Sequence, residues 1–195
     1  MLITNDFEVA QPVEKVWKFF GDIPQVATCL PGAELTEDLG GEKYKGRVAI
    51  RMGPVRLQFG GTAEIADRDD AAKRLVLNAT GAEEKGRGQA SMVVTATLVR
   101  SGRGTKVNVA QDLQLSGAAA QYGRGMISDV SSVLMRDFAT TMQDRIERVE
   151  RGESAEQIAA AGSSPASGLA LGLRAAVMAL TRVFRRFFVP YQAAS

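Results

Sequence analysis

The chain has 195 residues, 45% hydrophobic and 24% charged, which suits one domain of about 150 residues with an appendage. It contains no histidine and one cysteine, Cys29. These absences exclude histidine-based acid–base catalysis, Ser-His and Cys-His nucleophile pairs, the common zinc sites and an internal disulfide. We therefore expect no metal site, and we interpret Cys29 as a small buried hydrophobe.

The charges divide the chain near residue 156. All 22 acidic residues lie at or before Glu156 with 20 of the 24 basic ones, so this part has a net charge of −2. The remainder holds four arginines and no acid, a net charge of +4. A near-neutral body with a basic, apolar tail favours an acidic surface as the tail's partner. Nucleic acid is disfavoured because the body lacks a basic stripe with interleaved aromatic residues.

The first elements are a strand and two short helices. The N-terminal sequence MLITNDFEVA is polar and strand-like, without the basic start and apolar run of a secretion signal. Pro12 then opens a short helix over VEKVWKFFGD, and Ile23 to Leu30 predicts a second one. The missing signal and the single cysteine favour the cytoplasm.

Period-two alternation of apolar and polar residues next predicts antiparallel strands joined by hairpins. In the long strand, Leu57 and Phe59 alternate with Gln58. Glu64 and Asp112 fall on the polar side of their strands, so we interpret them as solvated rather than catalytic. The alternating runs cover residues 44–51, 55–65, 75–77, 90–98 and 107–115.

A long helix is predicted from Tyr122 to Arg151, where apolar residues recur at helical spacing, and Gly152 closes it. A helix of about 30 residues spans about 45 Å, enough to cross a whole sheet. The predicted order is one strand, two short helices, six strands and one long helix. The expected class is α+β, with a curved antiparallel sheet of about seven strands wrapped on the long helix over residues 1–152.

A strongly curved sheet around a straight helix often leaves a cavity between them. We predict that such a cavity is apolar, although some of its candidate residues would serve only as core, and a register slip of one residue would invert the strand positions. The candidate ligand-binding residues are Trp17, Phe20, Leu30, Val48, Leu57, Phe59, Met92, Val94, Leu113, Met126, Val130 and Leu134.

The tail is predicted to be a basic amphipathic helix over residues 169–189, joined through a short helix and a flexible linker over 153–168 that contains GSSPASG. Arginines interrupt it too often for a membrane span, so a position in the membrane surface suits it better. Packing on a partner protein or on its own domain are the alternatives. The candidate membrane-binding residues are Leu173, Val177, Leu180, Arg182, Phe184, Arg185, Arg186, Phe187 and Phe188.

Several motifs over about residues 1–150 resemble a known family. They are Pro12 with KVW at 15–17, LPGAE at 30–34, MGPV at 52–55 with FGG at 59–61, residues 86–91, and QYGR at 121–124. Their order resembles the START/Bet v 1-like helix-grip superfamily, and in detail the CoxG family of carbon monoxide dehydrogenase subunits. LPGAE together with the GPV and FGG motifs is fairly specific, whereas no single motif is.

The resemblance implies an accessory protein without catalytic residues that works with a molybdenum-containing CO dehydrogenase. From it we hypothesise a carrier that holds a quinone, menaquinone by preference, in the apolar cavity and sits peripherally on the inner face of the cell membrane. Two alternatives remain. One is a membrane tether without a ligand, and the other is a cyclase or hydrolase of the same superfamily. Glu34, Tyr44 or Arg47 pointing inward would favour an enzyme.

Overall fold

The computed structural model describes residues 1–153. The chain divides into two compact units, Met1–Glu147 and Arg148–Ser195. The first unit holds the sheet and most of the helices. Of the second, only Arg148 to Glu153 are described: there the Arg148 Nε donates to the Glu153 carboxylate at 2.7 Å, and Gly152 has a φ of +84°. The predicted linker beyond Glu153 and the predicted tail helix over 169–189 lie outside the described residues.

Seven antiparallel strands form a single curved sheet in the order β1-β7-β6-β5-β4-β3-β2. Each of the strands β2 to β6 pairs with the next along the chain, and β1 joins the sheet beside β7, so β1 and β2 are the two edges. The strands are β1 (Leu2–Val9), β2 (Ala33–Gly40), β3 (Lys43–Met52), β4 (Val55–Asp69), β5 (Arg74–Glu83), β6 (Gln89–Ser101) and β7 (Gly104–Leu115).

Three α-helices and one 3₁₀ helix complete the described part of the chain. They are α1 (Val13–Phe20), α2 (Ile23–Cys29), the 3₁₀ helix (Gly117–Gln121) and α3 (Arg124–Glu150). Asp22 begins α2, where its carboxylate accepts from the Gln25 backbone N–H at 3.1 Å. The buried stripe of α3 consists of Ile127, Ser131, Phe138, Met142 and Ile146.

The inner face of the sheet carries two separate hydrophobic clusters. The aromatic cluster joins α1 and the second half of α3 to strands β1, β5, β6 and β7, and contains Trp17, Phe20 and Phe138. The minor cluster lies toward the start of α3 and contains Ile3, Leu57, Phe59 and the 3₁₀ residue Ala119. The two clusters divide the sheet interior into two packed regions with other residues between them.

Trp17 connects the aromatic cluster to the turn between β4 and β5. The indole Nε1 donates to the Asp70 carboxylate at 2.7 Å, beyond the end of β4. The Arg68 guanidinium lies 5.2 Å and the Lys73 ammonium 5.8 Å from the centre of the indole ring, which are cation–π distances. These contacts hold α1 against the β4–β5 turn.

A glycine in β4 allows the strands to approach closely beside the inner face. A Cβ built on Gly61 would lie 1.9 Å from the backbone oxygen of Thr80 on β5. No larger residue fits this position without moving a strand, since real Cβ atoms do not approach a backbone oxygen so closely.

The fold predicted from the sequence is confirmed, including the order of elements and the long helix closed at Gly152. The helix begins later than predicted, at Arg124, because the 3₁₀ helix and a bend occupy the residues before it. Cys29 is 1% exposed, and its burial raises the pKa of the thiol to about 11, as suits an unreactive core residue. Glu64 and Asp112 are exposed, as their alternation indicated.

Candidate functional site

Between the two clusters, the inner face of the sheet is incompletely packed. Alternation and strand register place Ala63, Leu77, Ala79 and Met92 on the same face as the buried Leu75, yet all four are only half-buried and belong to neither cluster. Ala63 and Ala79 lie directly opposite each other on β4 and β5, and Ala79 lies opposite Met92 on β6. Small side chains at the first two positions leave room in front of the sheet.

The long helix has half-buried apolar residues on both sides of its buried stripe. At 100° per residue, Val130 and Leu134 flank the stripe on one side, while Met135 and Ala139 flank it on the side of β1. Val130 and Leu134 also belong to neither cluster. We define the open region by Ala63, Leu77, Ala79, Met92, Val130 and Leu134.

The twelve residues predicted to bind a ligand divide among these regions, and their role in binding stays a prediction. All six strand candidates lie on the inner face. Met126 is 44% exposed on α3. Trp17, Phe20, Leu30 and Val94 belong to or pack on the aromatic cluster; Val48, Leu57, Phe59 and Leu113 belong to or pack on the minor cluster; Met92, Val130 and Leu134 lie in the open region.

Of the three residues whose inward position would favour an enzyme, Glu34 and Arg47 point outward, whereas Tyr44 lies on the inner face opposite Ala63. Glu34 and Arg47 form an ion pair with each other, with 2.9 Å between Arg47 Nε and the carboxylate, and their side chains are 61% and 47% exposed. Tyr44 shares the inner face with Val48 and is half-buried; its pKa is raised by desolvation and then by nearby acids such as Asp38. Within residues 1–153, no group of three or more acidic or cysteine side chains is placed to bind a metal.

One carboxylate is deeply buried, and its environment gives it a structural role. Glu83 is 3% exposed at the end of β5, where it binds Arg87 at 2.8 Å and accepts from the backbone N–H groups of Lys85 and Arg87. The hydrogen bond from the Arg87 side chain lowers the pKa of Glu83 to about 2 despite the opposing effect of burial. Glu83 therefore fixes the β5–β6 hairpin rather than exchanging protons near neutral pH.

A groove of about 510 Å³ runs along the free edge of β1 beside α3. Its half-buried lining includes Asn5, Phe7, Met135 and Ala139, and Arg136 is among its exposed lining residues. None of the twelve predicted ligand-binding residues lines it. The groove thus lies on the opposite side of the α3 stripe from Val130 and Leu134.

A chain of polar side chains lies between the two clusters. Asn5 Nδ2 donates to Ser131 Oγ at 3.1 Å, and Ser131 Oγ donates to Gln111 Oε1 at 2.9 Å. Ser132 Oγ donates to Asn5 Oδ1 at 3.1 Å. Gln111 and Ser131 are each 8% exposed. We call Asn5, Ser131 and Gln111 the polar relay.

Sequence reasoning missed the polar relay, although the sequence contains a signal for it. Gln111 interrupts the inward apolar series of β7, between Val109 and Leu113, and Asn5 does the same on β1. Ser131 stands in the buried stripe of α3. A polar residue at the inward position of three elements predicts a buried hydrogen-bond network, since buried polar groups are almost always paired.

The fold and this site define a helix-grip protein: a curved antiparallel sheet gripping a long C-terminal helix. One similar solved structure is a conserved protein from Geobacillus kaustophilus, with a TM-score of 0.67 and 23% identity, over 76% of this chain and 96% of that one. Another is the ZhuI aromatase/cyclase from Streptomyces sp. R1128, with a TM-score of 0.56 and 15% identity, over 80% and 97% of the two chains. At these identities the likeness establishes the fold.

The family follows from the sequence. The model of the CoxG family of carbon monoxide dehydrogenase subunits matches residues 6–147, so the chain belongs to this family. A comparison with curated proteins gave no match. Among the helices of residues 1–153, none is long and apolar enough to cross a membrane.

Proposed function

We propose that this protein is a non-catalytic carrier that holds a lipophilic quinone, menaquinone by preference, in the open region. It would link a molybdenum CO dehydrogenase to the respiratory chain from the inner face of the membrane. The observation that carries the proposal is the half-buried apolar face of Leu77, Met92 and Leu134, which a core without a ligand would be expected to pack. Membership of the CoxG family, described as a component of CO dehydrogenase, supports the choice of partner.

The chemistry of the site favours carrying over catalysis. The open region is defined by six apolar residues, and the Glu34–Arg47 pair lies on the surface. With no histidine in the chain, a quinone would be reduced by the redox centres of the dehydrogenase while this protein shields the prenyl chain from water. Shielding of this kind lets a soluble dehydrogenase meet a substrate that otherwise stays in the bilayer.

The predicted tail would provide reversible membrane contact. Its phenylalanines would enter the acyl region while Arg182, Arg185 and Arg186 meet anionic headgroups. We expect the full chain to sediment with vesicles containing anionic lipid and to do so poorly with purely zwitterionic ones. Replacing these three arginines by glutamate should abolish sedimentation, because the charge of the tail is reversed.

The proposal is tested by the lipid content of the full chain purified from its native host. We expect organic extraction and mass spectrometry to find a stoichiometric quinone. The quinone should persist in the variant with the three tail arginines replaced by glutamate, since that change leaves the open region intact. A wild-type protein without quinone that still binds vesicles would contradict the carrier and support a membrane tether. Turnover of a small substrate by the isolated protein would instead support an enzyme.

A further inference from the structure

The polar relay leaves one group of hydrogen-bond donors unused in the interior. Asn5 uses its oxygen to accept from Ser132 and its nitrogen to donate to Ser131. Ser131 then accepts from Asn5, so its single proton is free to go to Gln111. The relay therefore orients the Gln111 amide with Oε1 toward α3 and with the Nε2 amino group directed elsewhere.

The Nε2 group of Gln111 has two N–H donors and no acceptor among residues 1–153. The residue as a whole is 8% exposed, but its Nε2 atom is not fully enclosed by protein, so water can reach it. The two donors are therefore available to water or to a ligand on the inner side of the sheet. A ligand that brings an acceptor would satisfy them.

The position of Gln111 relates this amide to the open region. On β7 it lies between Val109 of the aromatic cluster and Leu113, which packs on the minor cluster, and Val94 of β6 is its register neighbour. It does not line the groove beside β1, whereas Asn5 does. Asn5, at one end of the polar relay, therefore lies on the side of the groove. Gln111, at the other end, lies between the two clusters, where the open region also lies.

We propose that the Gln111 amide donates a hydrogen bond to a carbonyl oxygen of the bound ligand, and that Asn5 and Ser131 hold it in the donating orientation. This inference rests on the proposed function and makes it more specific. A carbonyl only accepts hydrogen bonds, which matches a group that only has donors to offer. The open region would favour a ligand with a large apolar part, and Gln111 would favour a ligand whose ring carries a carbonyl.

A pair of probes with the same ring system isolates this contact. Menadione, 2-methyl-1,4-naphthoquinone, carries two carbonyls, and 2-methylnaphthalene carries none. Equilibrium dialysis of the full chain against each gives their dissociation constants and the ratio between them. We expect Gln111→Leu to weaken menadione binding about tenfold, the effect of losing one well-made hydrogen bond. The binding of 2-methylnaphthalene should stay unchanged or improve.

Three further variants control the experiment. Gln114→Leu makes the same change at an exposed position of β7 and should leave both dissociation constants unchanged. Gln111→Glu keeps the side-chain size but replaces the amino group by a carboxylate oxygen, so it should also weaken menadione binding. This variant replaces Gln111→Leu in the experiment if Gln111→Leu fails to fold. Ser131→Ala frees the amide to rotate, and it should weaken menadione binding by a smaller factor, about threefold.

The outcomes separate this inference from the proposed function. If wild-type protein binds menadione and neither Gln111 variant changes the ratio between the probes, Gln111 is not the carbonyl donor, while the carrier proposal stands. If wild-type protein binds neither probe, the carrier proposal and this inference both fail. If both Gln111 variants bind menadione more weakly but 2-methylnaphthalene as before, and Gln114→Leu binds both like the wild type, the inference is supported.

Discussion

The aromatic cluster and the open region share one sheet face and one helix, yet they are packed differently. Met142, Val16 and Val107 in the aromatic cluster are completely buried, and Phe138 makes edge contacts with Phe7 and Phe20 at ring-centre distances of 6.0 and 6.3 Å. The open region has alanines at matching strand positions and leaves its larger residues half-buried. The difference indicates that one part of the interior stabilises the fold while the other remains available to a ligand.

The largest expected effect comes from matched truncations on β5. Leu75 is 6% exposed in the aromatic cluster, whereas Leu77, two residues on and on the same face, is half-buried in the open region. We expect Leu75→Ala to reduce the free energy of unfolding by about 4 kcal/mol and Leu77→Ala by about 2 kcal/mol or less, since less buried area and less cavity are involved. Urea unfolding at unchanged m-value measures both. Equal losses would show that the two regions are packed alike.

The next effect concerns the attachment of α1. Trp17→Phe keeps an aromatic ring in the aromatic cluster but removes the hydrogen bond to Asp70 and part of the surface that Arg68 and Lys73 cover. We expect a loss of about 1–2 kcal/mol in the free energy of unfolding. Asp70→Asn keeps an acceptor for the indole and should lose less. A Trp17→Phe protein as stable as wild type would mean that the turn does not secure the helix.

A pH-dependent effect is expected at Glu83. Its pKa is lowered from an ordinary 4.5 to about 2, so its contribution to stability is present above pH 4.5 and is lost as the pH falls toward 2. Glu83→Gln should therefore lower Tm at pH 7, and the difference from wild type should shrink between pH 4.5 and 2. A Tm difference that is constant over this range would contradict the assignment of the shift to the Arg87 contact.

The smallest expected effect is at the surface ion pair. Glu34→Gln removes the negative charge that faces Arg47, but both side chains are largely exposed and solvent screens them. We expect no measurable change in Tm or in bound ligand. A loss of ligand would show that this pair acts at the site and, together with Tyr44 on the inner face, would favour the enzyme alternative.

The sequence predicted the order of elements because alternation and helical spacing are local properties. It located five of the six strands after the short helices by their alternating runs. The remaining one, β2, has a largely exposed, charged pattern from Glu37 to Gly40 that gives no such signal. The alternation also placed Leu57, Met92 and Leu113 on the correct face, because antiparallel neighbours in register share a face.

The details of the site could not be predicted from alternation and helical spacing. Periodicity says that Asn5, Gln111 and Ser131 face inward, but their contact joins residues more than 100 positions apart in the case of Asn5 and Ser131. Nor does it say that the packed clusters stop short of Leu77 and Ala79, because that depends on the distance between the sheet and the helix. Both facts require the three-dimensional arrangement.

The most direct test of the account fills the open region and measures the ligand. Ala79→Phe places a ring on the inner face opposite Ala63 and Met92, whereas Asn78→Phe places the same ring on the exposed face of the same strand. Both full-length variants and the wild type would be purified from the native host, and their bound lipids measured by mass spectrometry. The account predicts a stoichiometric quinone in wild type and Asn78→Phe and little or none in folded Ala79→Phe. Equal quinone in all three would show that the ligand is not held in the open region.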